Sequence, residues 1–167
     1  MIGTPAMRTR PWTTAGTVVA TLARVVLGAL WLNEGLVKWH AGFGRADILL
    51  VVHSTAQNPR VPDFYKFFTA NALGRAPDLF GFGVPLIETC LGIALILGVF
   101  TLPAALASVG ELTNYWLADQ LITQYPIMIA LSVIVAVFAT TASRYSLTAL
   151  AVHRRRRPLA AAVRRWV

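Results

Sequence analysis

Cysteine is nearly absent. Cys90 stands alone in 167 residues, which leaves no intramolecular disulfide and no thiolate-rich metal or cluster site. Charge is scarce too: 13% of residues are Asp, Glu, Lys or Arg, against about 25% in a soluble domain. So little polar surface cannot cover a water-soluble globule. No phosphate loop, nucleophile elbow or metal-ligand spacing is present. His40, His53 and His153 fall outside the predicted helix centres, whereas a membrane haem needs facing histidines there, so neither haem nor metal is expected. No cleavable leader is expected either. The first apolar run is interrupted by Arg24, is too long for an h-region and lacks a small-x-small site.

What remains is apolar. Hydrophobic residues make up 56% of the chain, the mean hydropathy is +0.62, and the apolar blocks approach the ~20 residues a spanning helix needs. The expected fold is all-α: a polytopic membrane four-helix bundle in one domain, with spans at 14–39, 77–100, 103–119 and 125–141. Residues 1–13 read as a cytoplasmic arm and 144–167 as a basic cytoplasmic tail. The net charge of +8 is concentrated at the two ends, in Arg8, Arg10, Arg144, the run 154–157, Arg164 and Arg165. By the positive-inside rule this places both termini in the cytoplasm of a cell that carries the protein in its plasma membrane. The arginine run then meets anionic lipid rather than nucleic acid. The long connection between the first two spans holds a short apolar piece, Ile48 to Val52. It also holds a segment opened by Pro62 and Asp63, in which Phe64, Phe67, Phe68 and Leu73 share a side. That pattern predicts an amphipathic helix in the membrane interface, serving as a cap or as a lid. The fourth span is almost without polar groups and reads as a wall.

Several ionisable residues nevertheless sit inside the spans, where each costs about 2.5–3.5 kcal/mol on insertion scales. At 100° per residue Arg24, Gly28, Trp31, Gly35 and Lys38 line one face of the first span, with Glu34 one turn before Lys38. The second span repeats the device with Gly81, Pro85, Glu88 and Gly92, and the third with Ala104, Ala107, Glu111, Asn114 and Ala118. Three small-residue seams, each bearing a charge, predict one shared internal polar site. Its structural reading is a set of ties between helices. Its functional reading is a site for a quinone head group, ubiquinone or menaquinone, whose carbonyls need donors and whose reduction needs an acid. Arg24, Lys38 and Glu88 are the expected catalytic residues. Trp31, Glu34, Glu111, Asn114 and Trp116 are the expected ligand-binding ones, joined by His40 at the membrane surface; Tyr115 adds to the walls.

The chain also resembles the DoxX/DoxD family of small four-helix bacterial membrane proteins. The resemblance rests on Arg24-Val-Val-Leu-Gly28 leading to Glu34-Gly-Leu-Val-Lys38, then Glu88-Thr-Cys-Leu-Gly92 and Leu95-Ile-Leu-Gly98-Val-Phe-Thr101. It implies that Arg24, Lys38 and Glu88 occupy recurring family positions. It also implies a membrane subunit of a redox complex, such as the DoxD-like subunit of thiosulfate:quinone oxidoreductase, with other protein subunits and the lipid bilayer as partners. The leading expectation is therefore a membrane subunit of a quinone-linked oxidoreductase. The alternative is a non-catalytic anchor or assembly subunit, and a small proton-coupled transporter ranks third, since no inverted repeat is visible.

Overall fold

Proline and glycine set the helix ends. The structure, a computed structural model, describes residues 11–154, with side chains from 14 to 150. The predicted arm, apart from its last three residues, lies outside the described residues, as does the tail beyond residue 154. Among the described residues all regular structure is helical. Helix α1 spans Pro11–His40. It begins a few residues earlier than the predicted start at 14, because proline suits the first helical position, where its missing N–H is not needed.

The connection that follows is more structured than expected. The apolar piece at Ile48 is the middle of a 13-residue helix, α2 (Arg45–Gln57), in which the Asp47 carboxylate accepts the Gly44 N–H at 2.9 Å. Helix α3 (Asp63–Phe68) opens after Pro62 as predicted, then widens into a π turn over Thr69–Leu73. Helix α4 (Pro77–Leu97) starts on Pro77 and Asp78 and stops at Gly98, whose φ of 70° ends it in the left-handed conformation. The second span is therefore shorter than the 77–100 expected. Helix α5 (Thr101–Leu117) begins two residues sooner than predicted, with Pro103 inside its first turn. The predicted fourth span, 125–141, is broken at Phe138 into α6 (Tyr125–Val137) and a single turn, α7 (Ala139–Ala142). A last helix, α8 (Leu147–Arg154), occupies the start of the basic tail.

Helices α1 and α4 form an antiparallel pair held at backbone distance. A β-carbon on Gly28 would lie 2.8 Å from the Ile96 nitrogen, and one on Gly92 2.6 Å from the Leu32 nitrogen. Gly35 leaves no more room against Thr89 and Pro85. These are the glycines of the predicted seams, and here close approach requires them. Leu27, Trp31, Leu95, Leu112, Met128 and Val135 fill the core among α1, α4, α5 and α6. One polar tie threads it: the Trp31 indole donates to Ser108 Oγ at 2.6 Å, and Ser108 shares a hydrogen bond with Ser132 at 2.7 Å. The segments 14–40 and 77–97 are long and apolar enough to cross a membrane.

Candidate functional site

Lys38 lies in the last turn of α1, where a cation complements the helix dipole. The Gly35 seam sets it opposite Glu88 in the middle of α4. Its ammonium is 2.6 Å from Glu88 Oε1 and 3.2 Å from Glu34 Oε2. Glu88 is completely buried, and its Oε1 also accepts the Tyr115 hydroxyl of α5 at 2.5 Å. Tyr115 stacks on Tyr125 of α6, with ring centroids 5.2 Å apart. The Tyr125 hydroxyl reaches back to Glu34 at 3.4 Å, and the Gln124 amide donates to the same carboxylate. The result is a closed polar circuit through four helices, one ammonium set between two carboxylates. Pairing and hydrogen bonding of this kind offset the cost of burying the charges. One atom is left over: Glu88 Oε2 is buried without a hydrogen-bond partner.

A cavity of about 320 Å³ adjoins this circuit. Lys38, Glu111, Asn114 and Tyr115 form its polar wall on α1 and α5. Its opposite wall is apolar: Ile48 and Val51 from α2, Phe68 from α3, and Phe80, Val84 and Ile87 from α4. The connection predicted as a cap or lid is thus one side of the cavity. Tyr65 of α3 fastens it, its hydroxyl donating to the Asn114 carbonyl at 3.0 Å. Burial and the nearby Glu111 push that hydroxyl up to about 12, so it stays a neutral donor.

The structure brings five predicted residues to this region: Lys38, Glu34, Glu88, Glu111 and Asn114. Glu34 and Glu88 belong to the circuit but do not line the cavity. Four predicted residues lie apart. Arg24 sits 14 residues before Lys38 on the same helix, about 21 Å away at 1.5 Å per residue. Its guanidinium donates to the carbonyls of Leu95, of Ile96 at 3.1 Å, of Ala142 at 3.1 Å and of Tyr145 at 2.9 Å. These carbonyls lie at or just past the C-terminal ends of α4 and α7, where helices leave acceptors without intrahelical partners. The Leu95 carbonyl also takes the Gly98 N–H, and Arg24 is a clamp on two helix ends. Trp31 is fully buried in the core and tied to Ser108 rather than open to a ligand. Trp116 is 65% exposed and does not line the cavity, and the exposed His40 ring bonds its own helix at the Leu36 carbonyl, 2.7 Å away. Tyr65, Gln124 and Tyr125 were not singled out in the sequence. Gln124 and Tyr125 open a helix whose only other polar side chain is Ser132, and only the tertiary fold turns them toward Glu34.

The chain matches the DoxX family profile over residues 19–118, more than half its length. It belongs to the DoxX family. No curated protein and no solved structure matches it. Together with the two long apolar helices, this makes it a membrane protein. In this DoxX chain the short sequence signatures of α1 and α4 meet one another in space. Arg24 reaches the turn at Gly98, Gly28 faces Gly92, Gly35 faces Thr89, and Lys38 pairs with Glu88. Gly98 has a second duty besides its backbone angle: a β-carbon there would stand 2.6 Å from the Arg24 guanidinium.

A staple holds the cavity's apolar side of this DoxX chain to the end of α5. Asp119 accepts the Asn58 amide at 2.7 Å and the Arg60 guanidinium. The Asn58 hydrogen bond, and then Arg60, hold its carboxylate below the usual range. A depressed folded-state value means the staple contributes fully above the unfolded value of about 3.9 and is lost as pH falls below it. Pepsin should therefore begin to cut between Phe64 and Tyr65, just past the staple, only below about pH 4. Asp119→Asn should show no such pH step, once the enzyme's own profile is subtracted. Equal steps in both proteins would mean that Asp119 does not control the staple.

Proposed function

We propose that the chain is a membrane subunit of a quinone-linked oxidoreductase, with the head group bound in the cavity between α1, α5 and the α2–α3 connection. The observation that carries this reading is the two-sided cavity, polar on α1 and α5 and apolar elsewhere, beside a buried ion pair. Its volume falls within the ~300–1,000 Å³ of small-molecule sites. The donor set fits a carbonyl-bearing ring. An ammonium has three N–H donors, and Lys38 uses two on Glu34 and Glu88, leaving one. Asn114 uses one amide N–H on Gly110 and keeps the other. Glu111 places a carboxyl at the cavity wall, where it can hold a proton. A bound quinone supplies acceptance of electrons and protons; the chain's residues bind and orient it, and partner subunits of a redox complex supply the electrons.

In this reading α1 and α4 cross the plasma membrane fully. Helix α5 and the α6–α7 pair complete a four-span bundle with both termini cytoplasmic. Phe64 and Phe67 of α3, 65% and 70% exposed, rest in the interface.

Extraction of protein purified in mild detergent should release a quinone identifiable by chromatography and mass spectrometry. Asn114→Leu should bind added quinone about tenfold more weakly, as expected for one donor lost to a buried carbonyl at about 1.4 kcal/mol. Protein that carries no quinone and shows no saturable binding of an added one would sink the proposal.

A further inference from the structure

The cavity has a gap in its wall. Leu79, Gly83 and Ile87 follow one another at four-residue steps along α4, and all three line it. Leu79 and Ile87 remain 67% and 47% exposed while doing so, which makes this edge of α4 the boundary between the cavity and the outside. Between them Gly83 contributes no side chain, and a β-carbon placed there meets nothing within 4 Å. The seam glycines behave oppositely, since a β-carbon on Gly28, Gly35 or Gly92 strikes the facing helix. Gly83 is therefore not small in order to pack. Helix α4 is one of the two long enough and apolar enough to cross a membrane, so the gap opens sideways along a membrane span.

We infer that Gly83 is a side door to the bilayer, through which the apolar tail of a membrane-dissolved ligand passes, and that the residue at position 83 sets how bulky a tail is admitted. The inference rests on the quinone reading for the head group and goes beyond it. The groups that can bind a head group, Lys38, Glu111 and Asn114, lie on α1 and α5, whereas the gap is in the α4 wall. A cavity of about 320 Å³ has room for a substituted ring but not for a long isoprenoid chain as well, so the chain must leave it. A tail that trails into lipid stays out of water and keeps its transfer free energy.

Two experiments in lipid nanodiscs decide the matter. The first places a nitroxide at Gly83→Cys in a Cys90→Ser background, because Cys90 is exposed. Collisions with oxygen should be frequent and collisions with a water-soluble nickel chelate rare. Nickel accessibility equal to that of a nitroxide at exposed Arg60 overturns the door. The second titrates a decyl-tailed benzoquinone and the same ring without a tail. Gly83→Leu should weaken the tailed compound at least tenfold and leave the tail-less one within about twofold, with Gly83→Ala between wild type and Gly83→Leu. Equal effects on both compounds, or no effect on either, overturn the inference. If wild-type protein binds neither compound, the quinone reading falls, and the nitroxide measurement still decides whether position 83 opens to lipid.

Discussion

Arg24→Leu is expected to cost the protein most of its fold while leaving the ligand affinity of whatever folds unchanged. The side chain is 1% exposed and donates to four main-chain carbonyls at the ends of α4 and α7. Leucine would fill part of the volume but remove the donor to all four, leaving the Leu95 carbonyl with only the Gly98 N–H. Hydrogen bonds from charged donors contribute about 1.5–3 kcal/mol each and are not additive, so a loss of about 3–5 kcal/mol is reasonable. That is a large part of the ~5–15 kcal/mol that holds a typical domain together. Arg24→Lys should rescue little, since an ammonium on one stem cannot fork toward two helix ends. Thermal unfolding in detergent gives the stability change, and quinone titration of the folded fraction gives the affinity. A stable variant with lost affinity would return Arg24 to the site.

Lys38→Ala has the opposite signature in one respect. It strands Glu88, wholly buried, with only the Tyr115 hydroxyl for company, and removing one partner of a buried pair costs about 3–5 kcal/mol. The double variant Lys38→Ala with Glu88→Gln should recover most of that loss, because no buried charge is then left without its counterion. Affinity should not recover with it. The spare N–H of Lys38 is a proposed donor to the head group, so both variants should bind quinone at least about tenfold more weakly. A double variant that regains both stability and affinity would reduce Lys38 to a structural tie.

These two residues also mark what the sequence could and could not disclose. Helical spacing alone set Gly28, Gly35 and Lys38 on one face of α1 and Glu88 and Gly92 on one face of α4, and the two faces do meet. Lys38 found Glu88 because residues of opposite charge on facing seams have few other partners. Arg24 shares that face and did not, since its partners are carbonyl groups that every helix end offers whatever its side chains. Residue patterns carry no record of which end will be near. Trp31 was misread for a related reason: an indole in a span can stack on a ligand or seek a hydroxyl, and Ser108 lies 77 positions away. The apolar piece at Ile48 was recognised but not its helix. Its outward residues, such as Leu50, are apolar as well and blur the usual one-sided pattern.

The π turn over Thr69–Leu73 governs more than the shape of a connection. Phe68 and Leu73 are five positions apart, which on an α-helix would set them about 140° from each other. The wide turn, closed by the Gly74 N–H on the Thr69 carbonyl at 2.9 Å, brings both to the cavity while Phe64 and Phe67 stay outside. Rotational phase, rather than composition, is therefore what this segment must keep. Swapping its side chains changes a surface, but tightening the same residues into an ordinary α-turn would rotate Leu73 out of the wall. Deleting one residue instead would leave the pair four positions apart and on one side, about 40° from each other.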